Sequence, residues 1–166
     1  FEKDIMQSRL LIHRFDPRRE IPGGTDTCIR GLMKYAPDRQ WNVIGVDAIG
    51  DLPLGIWRED MVGDVKVRWL PVANLAPSNK RLIPHSVTLL LGVLRFHKRV
   101  GQFQWLQTHR AEIGYLATKL FRGRFDKHHY FIHTQQEGLG GEFSNSFWRR
   151  LIHIHTRIEM TMVRRP

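Results

Sequence analysis

At 166 residues, 42% of them apolar and 25% charged, the chain has the size and composition of one globular domain, neither disordered nor dependent on covalent staples. Its single cysteine, Cys28, excludes a disulfide framework within the chain and favours a reducing compartment, and no run approaches the roughly 20 apolar residues of a membrane span. The charge of +10 is unevenly held: residues 1–79 balance at 11 Lys/Arg and 11 Asp/Glu, whereas residues 80–166 hold 15 against 5, which points to an anionic partner or, more plainly, to a solvated basic face.

In chain order, Arg9 to Phe15 reads as a short apolar first strand. A Pro/Gly loop from Asp16 to Gly24 follows, with Thr25 or Asp26 placed to cap a helix over about 27–35. That helix sets Cys28, Ile29, Leu32, Met33 and Ala36 on one side. Trp41 to Val46 is a second strand, Gly50 to Gly63 is irregular, and Val65 to Leu70 is a third strand alternating apolar with Lys66 and Arg68. After a second long connection come a helix over about 86–101 and a strand from Phe103 to Thr108. A helix from Ala111 to Phe121, a strand from His129 to Thr134 and a last helix from Ser146 to Val163 complete the series. Strands alternating with helices predict an α/β fold: a Rossmann-like three-layer sandwich around a mainly parallel sheet, in one domain over 1–166. The start at Phe1 and the end at Pro166 suggest a piece of a longer polypeptide.

Ligands of such sheets sit beyond the C-terminal ends of the strands, which selects three places. Gly23 and Gly24, before Thr25, let backbone approach a ligand closely at a helix N-terminus suited to phosphate; a tight turn is the alternative. His109 and Arg110, with Glu112, end the fourth strand; His109 could bond a hydroxyl or phosphate and Arg110 could pair with an anion. The alternatives are a histidine satisfied by backbone and a glutamate that favours its helix start. His133, Gln136 and Glu137 bunch amides and a carboxylate at the end of the fifth strand, suited to hydroxyl-rich ligands, or are ordinary loop polarity.

The Gly23-Gly24 turn, the Thr108-His109 strand end leading into Ile113-Gly114-Tyr115-Leu116-Ala117, and the strand ending at Thr134 together resemble the N-terminal, acceptor-side domain of family-four retaining glycosyltransferases of the GT-B fold. The resemblance covers most of the chain. It implies a two-domain enzyme whose C-terminal, donor-binding domain is absent here, its Glu-x₇-Glu element occurring nowhere in the chain. It implies transfer from a nucleotide-sugar to a sugar or lipid-linked acceptor with retention of configuration and without a metal or other cofactor. Gly23, Gly24 and Thr25 would then approach the donor phosphates, His109 and Gln136 would serve catalysis, and Arg110, Glu112, His133 and Glu137 would hold the acceptor. The sequence departs from the family pattern at Gln107 and at Gln136, where relatives often carry His; Gln136 can hydrogen-bond but cannot titrate. The piece alone is expected to be inactive, and a cytoplasmic location, peripheral at the inner face of the membrane, is expected.

From Lys80 to Arg99, an apolar set (Leu82, Ile83, Val87, Leu90, Leu91, Leu94) lies between basic ends. It reads as a crossover helix packed on the sheet, which the topology favours; the alternative is a basic amphipathic helix lying on anionic membrane. Neither His128-His129 nor His153-Ile154-His155 has helical metal-ligand spacing. The rival reading is a non-enzymatic basic Rossmann-like module that binds nucleic acid or anionic membrane. The chain lacks the aromatic-basic pattern of single-strand binders, so no nucleic-acid partner is expected.

Overall fold

The computed structural model describes residues 8–76, 83–132 and 152–164. In chain order these form β1 (Ser8–Ile12), α1 (Gly24–Tyr35), β2 (Gln40–Asp47), β3 (Arg58–Val62), β4 (Val65–Asn74), α2 (His85–Phe96), β5 (Trp105–Thr108), α3 (Ala111–Leu120), β6 (Lys127–Tyr130) and α4 (Ile152–Val163). The six strands make one sheet in the order β3-β4-β2-β1-β5-β6. Every neighbouring pair is parallel except β3 and β4. The expected Rossmann-like α/β architecture is what the chain forms.

The two faces of β1 show why. Leu10 and Ile12 join Ile44, Leu70, Leu106, Leu89, Val93 and Ile113, so α2 and α3 cover one face. Leu11 on the other face joins Trp41, Val43, Trp69, Ile29 and Met33, so α1 covers that one. A strand buried on both sides reads as a continuous apolar run, which is why β1 was legible. On α2 the close approach falls at Gly92, where a Cβ would run into the backbone carbonyl of Val72 on β4; only glycine lets the helix lie that near the sheet.

Several boundaries differ from the sequence reading. Residues 58–62, expected to be irregular, are the antiparallel edge strand β3, joined to β4 by the two-residue turn Gly63-Asp64. Arg58, Glu59 and Asp60 hide it, because an edge strand carries charges that a buried strand would not. The first strand stops at Ile12, three residues before Phe15. The α1 helix starts at Gly24 with Gly23 as its N-cap, so Thr25 and Asp26 lie inside the first turn and neither caps it. The helix expected over 86–101 ends at Phe96 in a 3₁₀ turn, and β6 starts two residues early and ends at Tyr130, before Thr134.

The chain runs outward from β1 to β2 and β4, then returns to place β5 on the other flank of β1. The strand order therefore reverses between β1 and β5, where open α/β sheets bind ligands.

Candidate functional site

A cavity of about 200 Å³ opens at that reversal point. Its walls include His13 and Arg14 just past β1, Gly23, Thr25 and Asp26 at the start of α1, His85 and Ser86 at the start of α2, and Arg110 just past β5. Gly23, Thr25 and Arg110, predicted from separate stretches of sequence, thus face one space. Gly24 stands beside them as the first residue of α1 and is exposed. His133, Gln136 and Glu137 lie outside the described residues.

The Gly23 backbone takes φ 145° and ψ 147°, a conformation that a residue with a Cβ adopts only under strain. No neighbouring atom lies within 4 Å of where its Cβ would be, so the glycine serves the backbone bend rather than a tight packing contact. Gly23, Thr25 and Asp26 place the start of α1, the end of a helix that has unpaired N–H groups and a positive dipole, at the cavity wall.

The loop before Gly23 is anchored by buried charge. The fully buried Asp16 carboxylate accepts from the backbone N–H groups of Ala48 (2.9 Å) and Arg18 (2.9 Å) and from the Arg18 guanidinium (3.0 Å). Arg18 also donates to Asp47 and Asp51, each at 2.8 Å, and these contacts hold its guanidinium above its ordinary value, the Asp16 bond foremost. Burial pushes the Asp47 carboxyl up, but the N–H groups of Gly50, Leu52 and Ile49, with Arg18, outweigh it and hold the group below its ordinary value. Arg30 of α1 donates to the Asp16 carbonyl at 2.8 Å and to the Arg19 carbonyl at 2.9 Å, tying the helix back onto the loop.

Cationic groups converge on the cavity. Burial lowers the Arg14 guanidinium below its ordinary value, the like charge of Arg110 adds to this, and Asp26 opposes both. Asp26 is itself buried, which raises its carboxyl above the ordinary value although Arg30 holds it at 2.7 Å. Burial and the neighbouring charge of Arg110 disfavour the charged form of Arg14, so an anion bound beside it would relieve that cost. Arg110 donates from Nε to Glu112 at 2.5 Å, so the buried Glu112 orients the arginine. Among the described residues no group of three or more His, Cys, Asp or Glu side chains could hold a metal ion.

His109 lies behind the cavity wall rather than in it. Its ring is 4% exposed, stacks on Phe131 at 4.9 Å and sits 5.6 Å from the His13 ring that lines the space. His13 and Arg14 fall inside the first strand as the sequence reads, so strand-end logic passes over them. With that strand ending at Ile12, the rule that selected His109 and Arg110 selects them too. His85 and Ser86 carry no such signal, because the sheet order alone brings the start of α2 to this crevice.

Comparison with family models finds no match, and comparisons with curated proteins and with solved structures find no significant similarity.

Proposed function

We propose that this chain is the acceptor-side half of a retaining glycosyltransferase, moving a sugar from a nucleotide-sugar to an anionic or lipid-linked acceptor once joined to a donor-binding domain. The observation that carries the reading is the convergence of Gly23, Arg14 and Arg110 on one cavity at the β1/β5 reversal point. A leaving diphosphate needs neutralisation, which backbone N–H groups at the start of α1 and two guanidiniums supply. Hydroxyl-bearing acceptors suit the imidazoles and hydroxyls of His13, His85 and Ser86. The reading needs no metal, since fixed cations already oppose the developing charge.

The polypeptide in its full length, incubated with a panel of nucleotide-sugars and polyprenyl-phosphate or sugar acceptors, is expected to transfer sugar. Arg110→Ala is expected to lower kcat/KM by about 10²-fold, the scale of losing one preorganised charge-stabilising donor. A full-length protein that neither binds nor turns over any nucleotide-sugar would overturn the proposal.

An observation on α2 supports peripheral contact with anionic membrane. Its inner residues Leu89, Val93 and Phe96 pack on the sheet, as a crossover helix should. Its outer side leaves Leu91 and Leu94 57% and 41% exposed, Ile83 just before it is 51% exposed, and Arg95, Lys98 and Arg99 are exposed close by. Apolar side chains flanked by cations fit an anionic lipid surface better than they fit water. No helix among the described residues is long and apolar enough to cross a membrane.

A further inference from the structure

We propose that Arg9 and Gln107 form a relay that fixes His109 as a neutral imidazole protonated on Nδ1, so that it acts behind the crevice as a hydrogen-bond donor and not as a proton acceptor.

Arg9 lies on β1, 7% exposed, with its guanidinium 5.4 Å from the Trp41 ring and 5.6 Å from the Trp105 ring. A guanidinium only donates. Its Nη1 stands 2.7 Å from the Gln107 carboxamide, so the atom facing it must be the oxygen. An amide flip, usually ambiguous from coordinates, is decided here by the partner. The Gln107 NH₂ then points the other way, 2.8 Å from His109 Nε2. An NH₂ only donates, so Nε2 must accept and carries no hydrogen. A neutral imidazole has one N–H, which is therefore on Nδ1.

Protonating Nε2 would aim its N–H at the NH₂ group. Flipping the amide to receive it would turn NH₂ toward the guanidinium and lose the other bond. Both contacts are buried, where an unmade hydrogen bond is most costly. The ring has little freedom to escape, being stacked on Phe131 at 4.9 Å and 12°. Arg9 and Gln107 are thus positioning residues. The way the His109 donor is used in sugar transfer rests on the proposed function, but its protonation state does not. Within that function, His109 takes no proton during turnover, and an acceptor hydroxyl loses its proton to some other group.

The test is a long-range ¹H–¹⁵N correlation spectrum of this chain, uniformly ¹⁵N-labelled, at neutral pH, with His109→Asn used to assign the ring. The expected pattern is a protonated Nδ1 and an unprotonated Nε2. An Nε2–H tautomer or an imidazolium would overturn the proposal. In Gln107→Glu the carboxylate can only accept, so the proton is expected on Nε2; a spectrum unchanged from wild type would remove Gln107 from the relay. The predicted tautomer in a full-length protein that transfers no sugar would leave the relay standing and sink the function. The reverse pair of results would do the opposite.

Discussion

Asp16 and Asp47 end two adjacent stretches of chain with carboxylates removed from water, and Arg18 spans both. Truncating one leaves buried donors and part of a cation without partners. We expect Asp16→Ala to cost about 2–3 kcal/mol in urea unfolding, below the full penalty of a broken buried pair because Arg18 keeps some contact with solvent. The Asp47 carboxyl lies below its ordinary value of 3.8 in the folded chain. Its contribution to stability is therefore complete above that value and is lost as pH falls through the lower folded value. A series of acid unfolding curves followed by circular dichroism should show Asp47→Asn flattening this limb. Tyr130 moves the other way: burial, with the Glu159 and Glu112 carboxylates, pushes its phenol up to about 12 against the pull of Arg110. The folded state favours the neutral phenol, so its contribution is present below the ordinary value of 10 and is lost as pH rises beyond it. Ultraviolet titration should find a phenol ionising well above the ordinary value of 10, a late step absent from Tyr130→Phe.

On the scale of elements, α2 carries two opposite expectations. Gly92→Ala gains up to about 1 kcal/mol in helix propensity, but its Cβ meets the Val72 carbonyl. Overpacking against backbone costs about 1–3 kcal/mol, so the net change in thermal or urea unfolding should be a loss. The paired change Leu91→Ser and Leu94→Ser touches only exposed side chains and should shift stability by no more than about 0.5 kcal/mol per site. It should still weaken cosedimentation with phosphatidylglycerol-containing vesicles, and added salt should weaken wild-type binding as well. Equal binding by wild type and double variant would remove α2 from membrane contact. Elements with a buried apolar face are legible in the sequence: β1 and β2 by apolar runs, β4 by alternation and α1 by helical spacing, whereas on α2 the apolar set read from the sequence includes Leu91 and Leu94, which are exposed, and misses Leu89, Val93 and Phe96, which pack on the sheet. The edge strand β3 is not legible, because strand pairing with β4 holds charged residues there that local pattern assigns to a loop. The early end of β1 is also hidden, since Phe15, a core residue beyond the strand, extends its apolar run.

For the molecule as a whole, the candidate site could be only half read. Strand-end logic found Gly23, Thr25 and Arg110 because each follows a strand. It misplaced His109, whose buried relay to Gln107 and Arg9 joins residues 98 positions apart. Which strand lies beside β1 is a property of topology, and sequence spacing does not state it. We propose that the crevice lined by Arg14 and Arg110 at the β1/β5 reversal point serves a nucleotide-sugar reaction. The most direct test is calorimetric titration of the full-length polypeptide, wild type and Arg14→Ala, with UDP-, GDP- and ADP-sugars. Saturable binding of at least one donor is expected, with a Kd of about 1 μM to 1 mM, on the scale of ordinary enzyme–substrate affinities, weakened about tenfold or more in Arg14→Ala as a charge-assisted contact is lost. No binding by the wild type, or binding unaltered by Arg14→Ala, would contradict the proposal.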